Sequence, residues 1–423
     1  MTDYDVLAIG FGPANISLAI AQKEQSLGLK IKFLESRANC DWLPDVLING
    51  SDIQNNPVRD LVTPVNPRSK YTYLNYLFEH EKLVEVLNLG LDFPLRKEYS
   101  RYIGWVGQQF EHLVDYNQRV KDIALLPNEM GYKVTTESGK EYTTKALVLG
   151  TGRTPYIPAP FDTVKSDRVV HFTKYLGAMS AIDKVEKPKR IAVVGSSQSA
   201  VEITLDLIAR YPNAKIDNYI RSFGFRLKDT SPFMEESIMP EFVDYYFNAS
   251  QESKDILDQD VRYTNYSASD MDVLKKLYVA MYEQKLDGEQ RVFLKNNRNI
   301  VEASADQGSV TIASTERHYG TQEQQDYDVV ILATGFKDIG VGDNKETCYP
   351  MIEPIRERLK VNDNGTLKIN VDYSLSSASA SQPLPPLYLF NLCESSHGVA
   401  DSGSFSMISL RAKTVIDSLK KNF

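Results

Sequence analysis

Two short loops carry the chemistry this chain can do. Gly10-Phe11-Gly12-Pro13-Ala14-Asn15 directly follows the apolar run Val6-Leu7-Ala8-Ile9, and Gly195-Ser196-Ser197-Gln198-Ser199-Ala200 directly follows Ile191-Ala192-Val193-Val194. Glycine at such a turn lets backbone approach a pyrophosphate closely, and the helix that follows aims unpaired N–H groups at the anion. In the first loop Gly10, Gly12 and Pro13 keep the pattern and Asn15 replaces the usual third glycine. Glu35 ends the next apolar run, Ile31-Lys32-Phe33-Leu34, twenty residues after Asn15, where a carboxylate accepts from ribose hydroxyls. In the second loop Ser197 stands at the middle glycine, flanked by Gln198 and Ser199. The strand expected at Lys215 to Ile220 ends in Arg221-Ser222 with no acid, which suits the 2′-phosphate of NADPH better than NADH. Two such units imply two dinucleotides end to end, the arrangement for passing a hydride from nicotinamide to flavin.

The elements that position these loops follow from the pattern. Ala146 to Gly152 and Val329 to Phe336 are apolar runs ending in glycine turns, the second through Thr334-Gly335; both read as return strands toward the flavin site. The expected fold class is α/β, with two Rossmann-like dinucleotide-binding domains and a small, mainly helical substrate-binding insertion. The expected divisions are 1–160 plus 337–423 for FAD, 161–222 plus 291–336 for NADPH, and 223–290 for the insertion. Tyr71 to Leu87 and Tyr99 to Val114 read as helices, 223–290 as loop-rich before a helix at Met271 to Leu286, and Ser374 to Ser381 as a mobile loop.

Composition narrows the function classes. The chain has 423 residues, 42% of them hydrophobic, and a formal net charge of −8 with no basic stripe, which argues against a nucleic-acid partner. No apolar run approaches the roughly 18–20 residues that span a bilayer, and the first strand begins within about five residues, leaving no signal peptide. The expectation is a cytoplasmic protein with no membrane partner. Three scattered cysteines, Cys40, Cys348 and Cys393, form no CxxC pair, and five histidines lack ligand spacing, so neither a dithiol centre nor a metal site is expected.

Beyond the loops, an ordered series of segments resembles the microbial N-hydroxylating flavin monooxygenases, the ornithine, lysine and diamine N-monooxygenases of hydroxamate siderophore pathways. These segments are Asp60 to Thr63, Pro67-Arg68-Ser69, Leu74 to Leu77, Phe93 to Tyr99, Asp229 to Phe233, Pro240-Glu241-Phe242, Asn265-Tyr266-Ser267, Ala333-Thr334-Gly335 and His397-Gly398. The resemblance covers nearly the whole length. It implies that FAD, reduced by NADPH, reacts with O2 to a C4a-hydroperoxyflavin whose distal oxygen is attacked by a neutral primary amine. It further implies that Gln54 lies close to flavin and substrate, that Asn265 hydrogen-bonds substrate and nicotinamide, and that Ser406 sits near the reacting amine. The segment Ser402-Gly403-Ser404 carries one residue more than the family pattern. A homo-oligomer, dimer or tetramer, is also implied.

Three departures bear on substrate and flavin. Where amino-acid hydroxylases of the family have Phe-Leu-Lys-Asp-Leu, with the lysine on the substrate carboxylate, this chain has Pro57-Val58-Arg59-Asp60-Leu61. The family's Ser-Pro-Phe-Val-Asn-Glu reads Ser231-Pro232-Phe233-Met234-Glu235-Glu236, so the asparagine that holds the amino-acid end becomes Glu235. An anion there repels a carboxylate by several kcal/mol at about 4 Å and an effective dielectric near 20. The expected substrate is therefore a decarboxylated amine: putrescine, cadaverine or histamine. The alternative is that Glu235 pairs with Arg59, leaving L-ornithine or L-lysine. Trp42-Leu43-Pro44-Asp45 replaces the family's Trp-His-Pro-Gly, which removes a histidine beside the flavin and points to uncoupled peroxide release. Readings from other classes are a flavin-dependent NADPH oxidase or disulfide reductase, which needs a redox cysteine beside the flavin, a flavin monooxygenase acting on sulfur or ketones, and a non-catalytic flavin-binding regulator.

Overall fold

The computed structural model describes residues 2–127 and 129–423, and for Ser402 and Gly403 the backbone alone. Its centre is a seven-stranded sheet whose core is parallel. The strand Tyr4–Ile9 lies between Ile31–Leu34 and the long strand Glu141–Leu149. Glu141–Leu149 does two jobs. Its first half pairs antiparallel with Tyr132–Thr136, which pairs in turn with Val120–Leu125; its last three residues pair parallel with Leu387–Leu389. Val6, Leu7 and Ala8 are wholly buried on both faces, as continuous apolar runs in parallel sheets must be. The helix Pro13–Glu24 packs against the C-terminal helix Ile408–Lys420 on one side of this sheet.

A second sheet is parallel throughout, in the order Val292–Lys295, Lys215–Tyr219, Arg190–Val194, Val329–Leu332, Val169–His171. The helix Gln198–Arg210 follows its middle strand. A three-stranded antiparallel sheet, Arg298–Ala305, Val310–Glu316 and Gln322–Tyr327, closes one flank through Ile312, Tyr327 and Tyr219. The α/β class and its two nucleotide-type sheets are as expected.

The two loops repeat one geometry. Gly10 has φ +86°, and a Cβ there would stand 2.6 Å from the Gly150 carbonyl oxygen at the end of Glu141–Leu149. Gly195 has φ +149°, and a Cβ there would stand 2.4 Å from the Ala333 carbonyl oxygen at the end of Val329–Leu332. In each unit the first glycine is required by the return strand packed across it, and not by a ligand alone.

Several sequence expectations change. The helix read over Tyr71 to Leu87 is two helices, Tyr73–Glu79 and Leu83–Leu89, broken at Glu81 with φ +57°; a left-handed glutamate leaves no signal in composition. The helix read over Tyr99 to Val114 runs Arg96–Gln108 and is followed by a 3₁₀ turn at Glu111–Leu113. The insertion holds Pro232–Glu235, Pro240–Asn248 and Gln251–Asp260 before Met271–Leu286. Pro232 and Pro240 open helices, where their missing N–H has no partner to lose. Ser374 to Ser377 are pinned, because Ser374 bridges to Tyr388, Leu375 to Ile369 and Ser377 to Leu359.

Gly10→Ala combines a left-handed backbone with a backbone clash. It is expected to destabilise the protein by about 2–4 kcal/mol, measured by urea unfolding, and to release bound flavin on gel filtration.

Candidate active site

A cleft of about 1230 Å³ opens between the two nucleotide sheets and the insertion. Drug-sized ligands occupy pockets of roughly 300–1,000 Å³, so this space exceeds the needs of one small molecule. Of the residues singled out from sequence, it brings together Trp42, Gln54, Arg59, Ser199, Glu235, Asn265 and Ser406. They come from segments up to 364 positions apart, from Trp42 to Ser406.

One wall is a polar cluster. Ser406 is 6% exposed; its hydroxyl donates to Asn55 Oδ1 at 3.1 Å and accepts from Ser404 at 2.9 Å and, at 3.5 Å, from Arg59. Asn55 donates to the Arg59 carbonyl at 2.8 Å, so the Asn55–Arg59 turn is closed on itself. Arg59 Nη1 makes an ion pair with Glu235 at 3.0 Å. Glu235 is held at the end of the short helix Pro232–Glu235, capped by Ser231. The premise that Glu235 stands as an isolated anion is therefore corrected: its charge is compensated by Arg59. Trp42 and Phe405 meet edge to face, with centroids 5.1 Å apart, and supply an apolar boundary.

The opposite wall is a chain of hydrogen bonds. Gln54, at φ +51°, donates through its side chain to Asp270. The Asp270 amide donates to Gln198 Oε1 at 2.9 Å, and Gln198 Nε2 donates to Glu202 at 3.0 Å. Glu202 receives both Nη atoms of Arg96 at 2.9 and 3.0 Å. Arg96 also donates to the carbonyls of Val46 and Asp52. Gln198, expected to touch cofactor, instead spends its side chain tying the insertion to the second nucleotide helix. Asn265 lines the cleft and makes one long contact, 3.5 Å, with the Val399 carbonyl.

Around the phosphate loops the placement is mixed. The helix Pro13–Glu24 has Gly12 as N-cap, no side-chain cap and no acid in its first turn. A Cβ at Gly12 would meet nothing within 4 Å. Uncapped N–H groups facing open space beside a missing side chain fit a pyrophosphate. The helix Gln198–Arg210 is likewise without a side-chain cap or a first-turn acid. Asn15 is wholly buried and donates to the Ile9 and Gly10 carbonyls at 3.0 and 2.7 Å; it shapes the turn from inside, where it was expected to face the cofactor. Glu35 accepts from the Phe11 and Arg37 amides at 2.8 Å each, which braces the loop and leaves acceptor capacity on a partly exposed carboxylate. Arg221 is exposed at the end of the second unit, its carbonyl accepting from Arg317, and Ser222 Oγ donates to the Gly224 carbonyl. Thr334 Oγ1 donates to the Tyr156 carbonyl, and the Gly335 carbonyl takes the Tyr156 amide at 3.0 Å; both lie behind the cleft wall that Phe336 forms.

Sequence reasoning missed Asp52, Asn55, Glu202 and Asp270. Arg96 sat unremarked inside a quoted run. No local pattern marks these residues, because their partners lie up to 351 positions away. The three cysteines are free and buried, so no dithiol faces the cleft, and no metal-ligand cluster occurs among the described residues. No helix is long and apolar enough to cross a membrane, again among the described residues.

The family model described as L-lysine 6-monooxygenase/L-ornithine 5-monooxygenase matches residues 2–338. An L-ornithine N(5)-monooxygenase of Pseudomonas aeruginosa is 31% identical over 98% of this chain and 93% of its own. The reduced form of ornithine hydroxylase from P. aeruginosa superposes with a TM-score of 0.90 at 31% identity, covering 99% of each chain. A Kutzneria ornithine N-hydroxylase holding reduced FAD, NADP+ and L-ornithine superposes at 0.90 with 28% identity, again over 99% of each chain.

Burial, and then the neighbouring Asp270 and Glu202, push the Asp52 carboxyl up to about 6 from 3.8. The folded pKa is the higher one, so folding carries no penalty from Asp52 below pH about 4; the penalty grows as pH rises toward 6 and is constant above. Asp52→Asn, which still accepts the Gln54 amide, should stabilise the protein by about 2 kcal/mol at pH 8 and leave it unchanged at pH 4, read by thermal melts at the two pH values.

Proposed function

Because the chain belongs to the L-lysine 6-monooxygenase/L-ornithine 5-monooxygenase family, we propose that it N-hydroxylates the side-chain amine of L-ornithine or L-lysine with FAD, NADPH and O2, as a step of hydroxamate siderophore synthesis. The observation that carries this reading is the convergence of Gln54, Arg59, Asn265 and Ser406 on one cleft, which also takes in Ser199 from the first turn of Gln198–Arg210. FAD, when bound, would supply the redox chemistry that activates O2, with NADPH as electron donor and O2 as the source of the inserted oxygen atom.

The protein's part is binding, orientation and proton control. The loop at Gly10–Pro13 would hold the FAD pyrophosphate, and Ser197, Ser199 and Arg221 the NADPH phosphates. A free alkylamine has a pKa of about 10.4, and its lone pair is available only after the ammonium loses a proton. The apolar boundary of Trp42 and Phe405 disfavours the charged form immediately beside it. Asn265 offers a carbonyl oxygen that accepts from an amine N–H and so aims the lone pair away from itself, while the Ser406 hydroxyl, already bonded to Asn55, Ser404 and Arg59, fixes the wall beside it. The guanidinium of Arg59 has five N–H donors; the contacts to Glu235 and Ser406 use Nη1 alone. The rest of the fork is open to a substrate carboxylate, with Glu235 fixing its angle. This pairing is why a carboxylate-bearing substrate is favoured here over the decarboxylated amine that Glu235 alone suggested.

A second reading keeps putrescine, cadaverine or histamine. It is favoured by the charge of the lining: Asp52, Asp92, Glu202, Glu235, Asp270 and Asp272 against Arg59, Arg96 and Lys228. An excess of carboxylates attracts a dication.

Hydroxylamine formation from L-ornithine, L-lysine, putrescine, cadaverine and histamine separates the two readings. The expected result is kcat/KM at least tenfold higher for one of the amino acids; preference for a diamine or histamine transfers the assignment to the second. Arg221→Ala should raise KM for NADPH about tenfold and leave KM for NADH within twofold, measured by flavin reduction.

A further inference from the structure

Behind the cleft wall lies a buried charged cluster that the reaction as described does not use. Arg153, just beyond the turn Gly150-Thr151-Gly152, has a side chain 11% exposed. Its Nη1 donates to the Tyr266 hydroxyl at 2.9 Å and to Asp338 at 3.3 Å, and lies 3.6 Å from Glu394. The Tyr266 hydroxyl donates in turn to Glu394. The guanidinium sits 4.9 Å over the ring of Phe336. Asp338 and Glu394 are 6% and 12% exposed, and Lys345 approaches Asp338 at 4.0 Å. Burial, and then Asp338, raise the Glu394 carboxyl above its ordinary range.

Four separate segments meet here: the exit of the first sheet, the insertion, the exit of the second sheet and the C-terminal region. Two members are joined directly to the cleft. Tyr266 is the chain neighbour of Asn265, and Phe336 lines the cleft itself. Asn265 has little support of its own, since its side chain makes the single 3.5 Å contact with Val399. The next residue is fastened at its far end by two charged groups.

We propose that Arg153 and Glu394 are positioning residues for amine hydroxylation, which hold Asn265 at the cleft through the Tyr266 hydroxyl and hold Phe336 through the face of its ring. The proposal rests on the reading of Asn265 as a substrate-binding residue. The cluster costs desolvation, and buried ions that are only partly paired are weak sources of stability; one Asp338 oxygen has no partner. What it provides is fixed geometry at the far ends of side chains whose backbone is held by the turns at Arg262–Tyr266 and Thr154–Lys337. A misplacement of about 1 Å at a reacting centre costs on the order of 10²-fold in rate.

The test uses the flavin-loaded full-length enzyme and the best amine of the panel above. Hydroxylamine formed per NADPH consumed, KM for amine and flavin content are measured for Arg153→Met, Arg153→Lys, Glu394→Gln and Tyr266→Phe. Wild-type hydroxylamine formation establishes the reaction independently, so a failed panel and a failed proposal are distinct results. The expected outcome is unchanged flavin content, a fall in coupling of fivefold or more and a rise in amine KM of about tenfold for Arg153→Met, a smaller effect in the same direction for Tyr266→Phe, and partial recovery in Arg153→Lys. Coupling and KM within twofold of wild type in a folded Arg153→Met overturn the proposal. If Arg153→Met does not fold, the same result in Tyr266→Phe and Glu394→Gln overturns it. Loss of activity only in proportion to lost flavin assigns the cluster to structure and also overturns it.

Discussion

The bidentate pair between Arg96 and Glu202 is the contact on which the site is built. It joins the start of Arg96–Gln108, on the first sheet's side, to Gln198–Arg210, on the second sheet's side, with the Glu202 side chain 4% exposed. A buried ion pair is tolerated only if its remaining hydrogen-bonding capacity is filled. Here Arg96 fills it with the carbonyls of Val46 and Asp52, and Glu202 with the Gln198 amide group. Each of these partners then reaches further, so that Asp52 accepts the Gln54 amide and Gln198 accepts the Asp270 amide. Gln54 and Asp270 close the ring. Losing either charge would leave the other buried without a counterion, a cost of about 3–5 kcal/mol, and would free both walls of the cleft at once.

The same economy of contacts appears in the two nucleotide units. In each, the glycine that opens the loop is packed under the carbonyl that ends a return strand, Gly150 for Gly10 and Ala333 for Gly195. The substitutions away from the familiar glycine pattern occur one step later and serve the protein. Asn15 reaches back to hold the strand end, and its side chain occupies the space in which a Cβ on Gly150 would lie. The 3.4 Å contact of Ser197 Oγ and the Gln198 amide both meet the Ala268 carbonyl, which fastens the insertion to the helix start. Loops that look degenerate as ligand motifs are thus coherent as joints between elements.

Charge compensation, more than charge identity, shapes the substrate wall. Glu235 considered alone predicts repulsion of a carboxylate. Paired with Arg59 at 3.0 Å, in a site where both side chains are about a quarter to a third exposed, it becomes a brace for a guanidinium whose other donors remain available. The pair sits at intermediate exposure, where its own contribution to stability is small, so its significance is geometric.

Local pattern in the sequence was sufficient for the α/β class and for both strand–loop–helix units, while Trp42, Gln54, Arg59, Glu235, Asn265 and Ser406, which line one cleft with Ser199, were singled out by the family resemblance. The signals for the fold are short-range: an apolar run and a glycine at a turn. The helix break at Glu81 was not legible, because a positive φ on a glutamate is imposed by packing and leaves no composition signal. The inward roles of Asn15 and Gln198 were not legible either, since a polar side chain at a loop has the same letter whether it faces a ligand or the strand behind it. Tertiary structure alone decided that Glu235 would meet Arg59, that Asp270 would meet Gln54, and that Arg153, Tyr266, Asp338 and Glu394 would share one enclosed volume. Those are pairings between residues more than a hundred positions apart in most cases, and the energy of a charge or hydrogen bond depends on the distance and burial of its partner, which no stretch of chain specifies by itself.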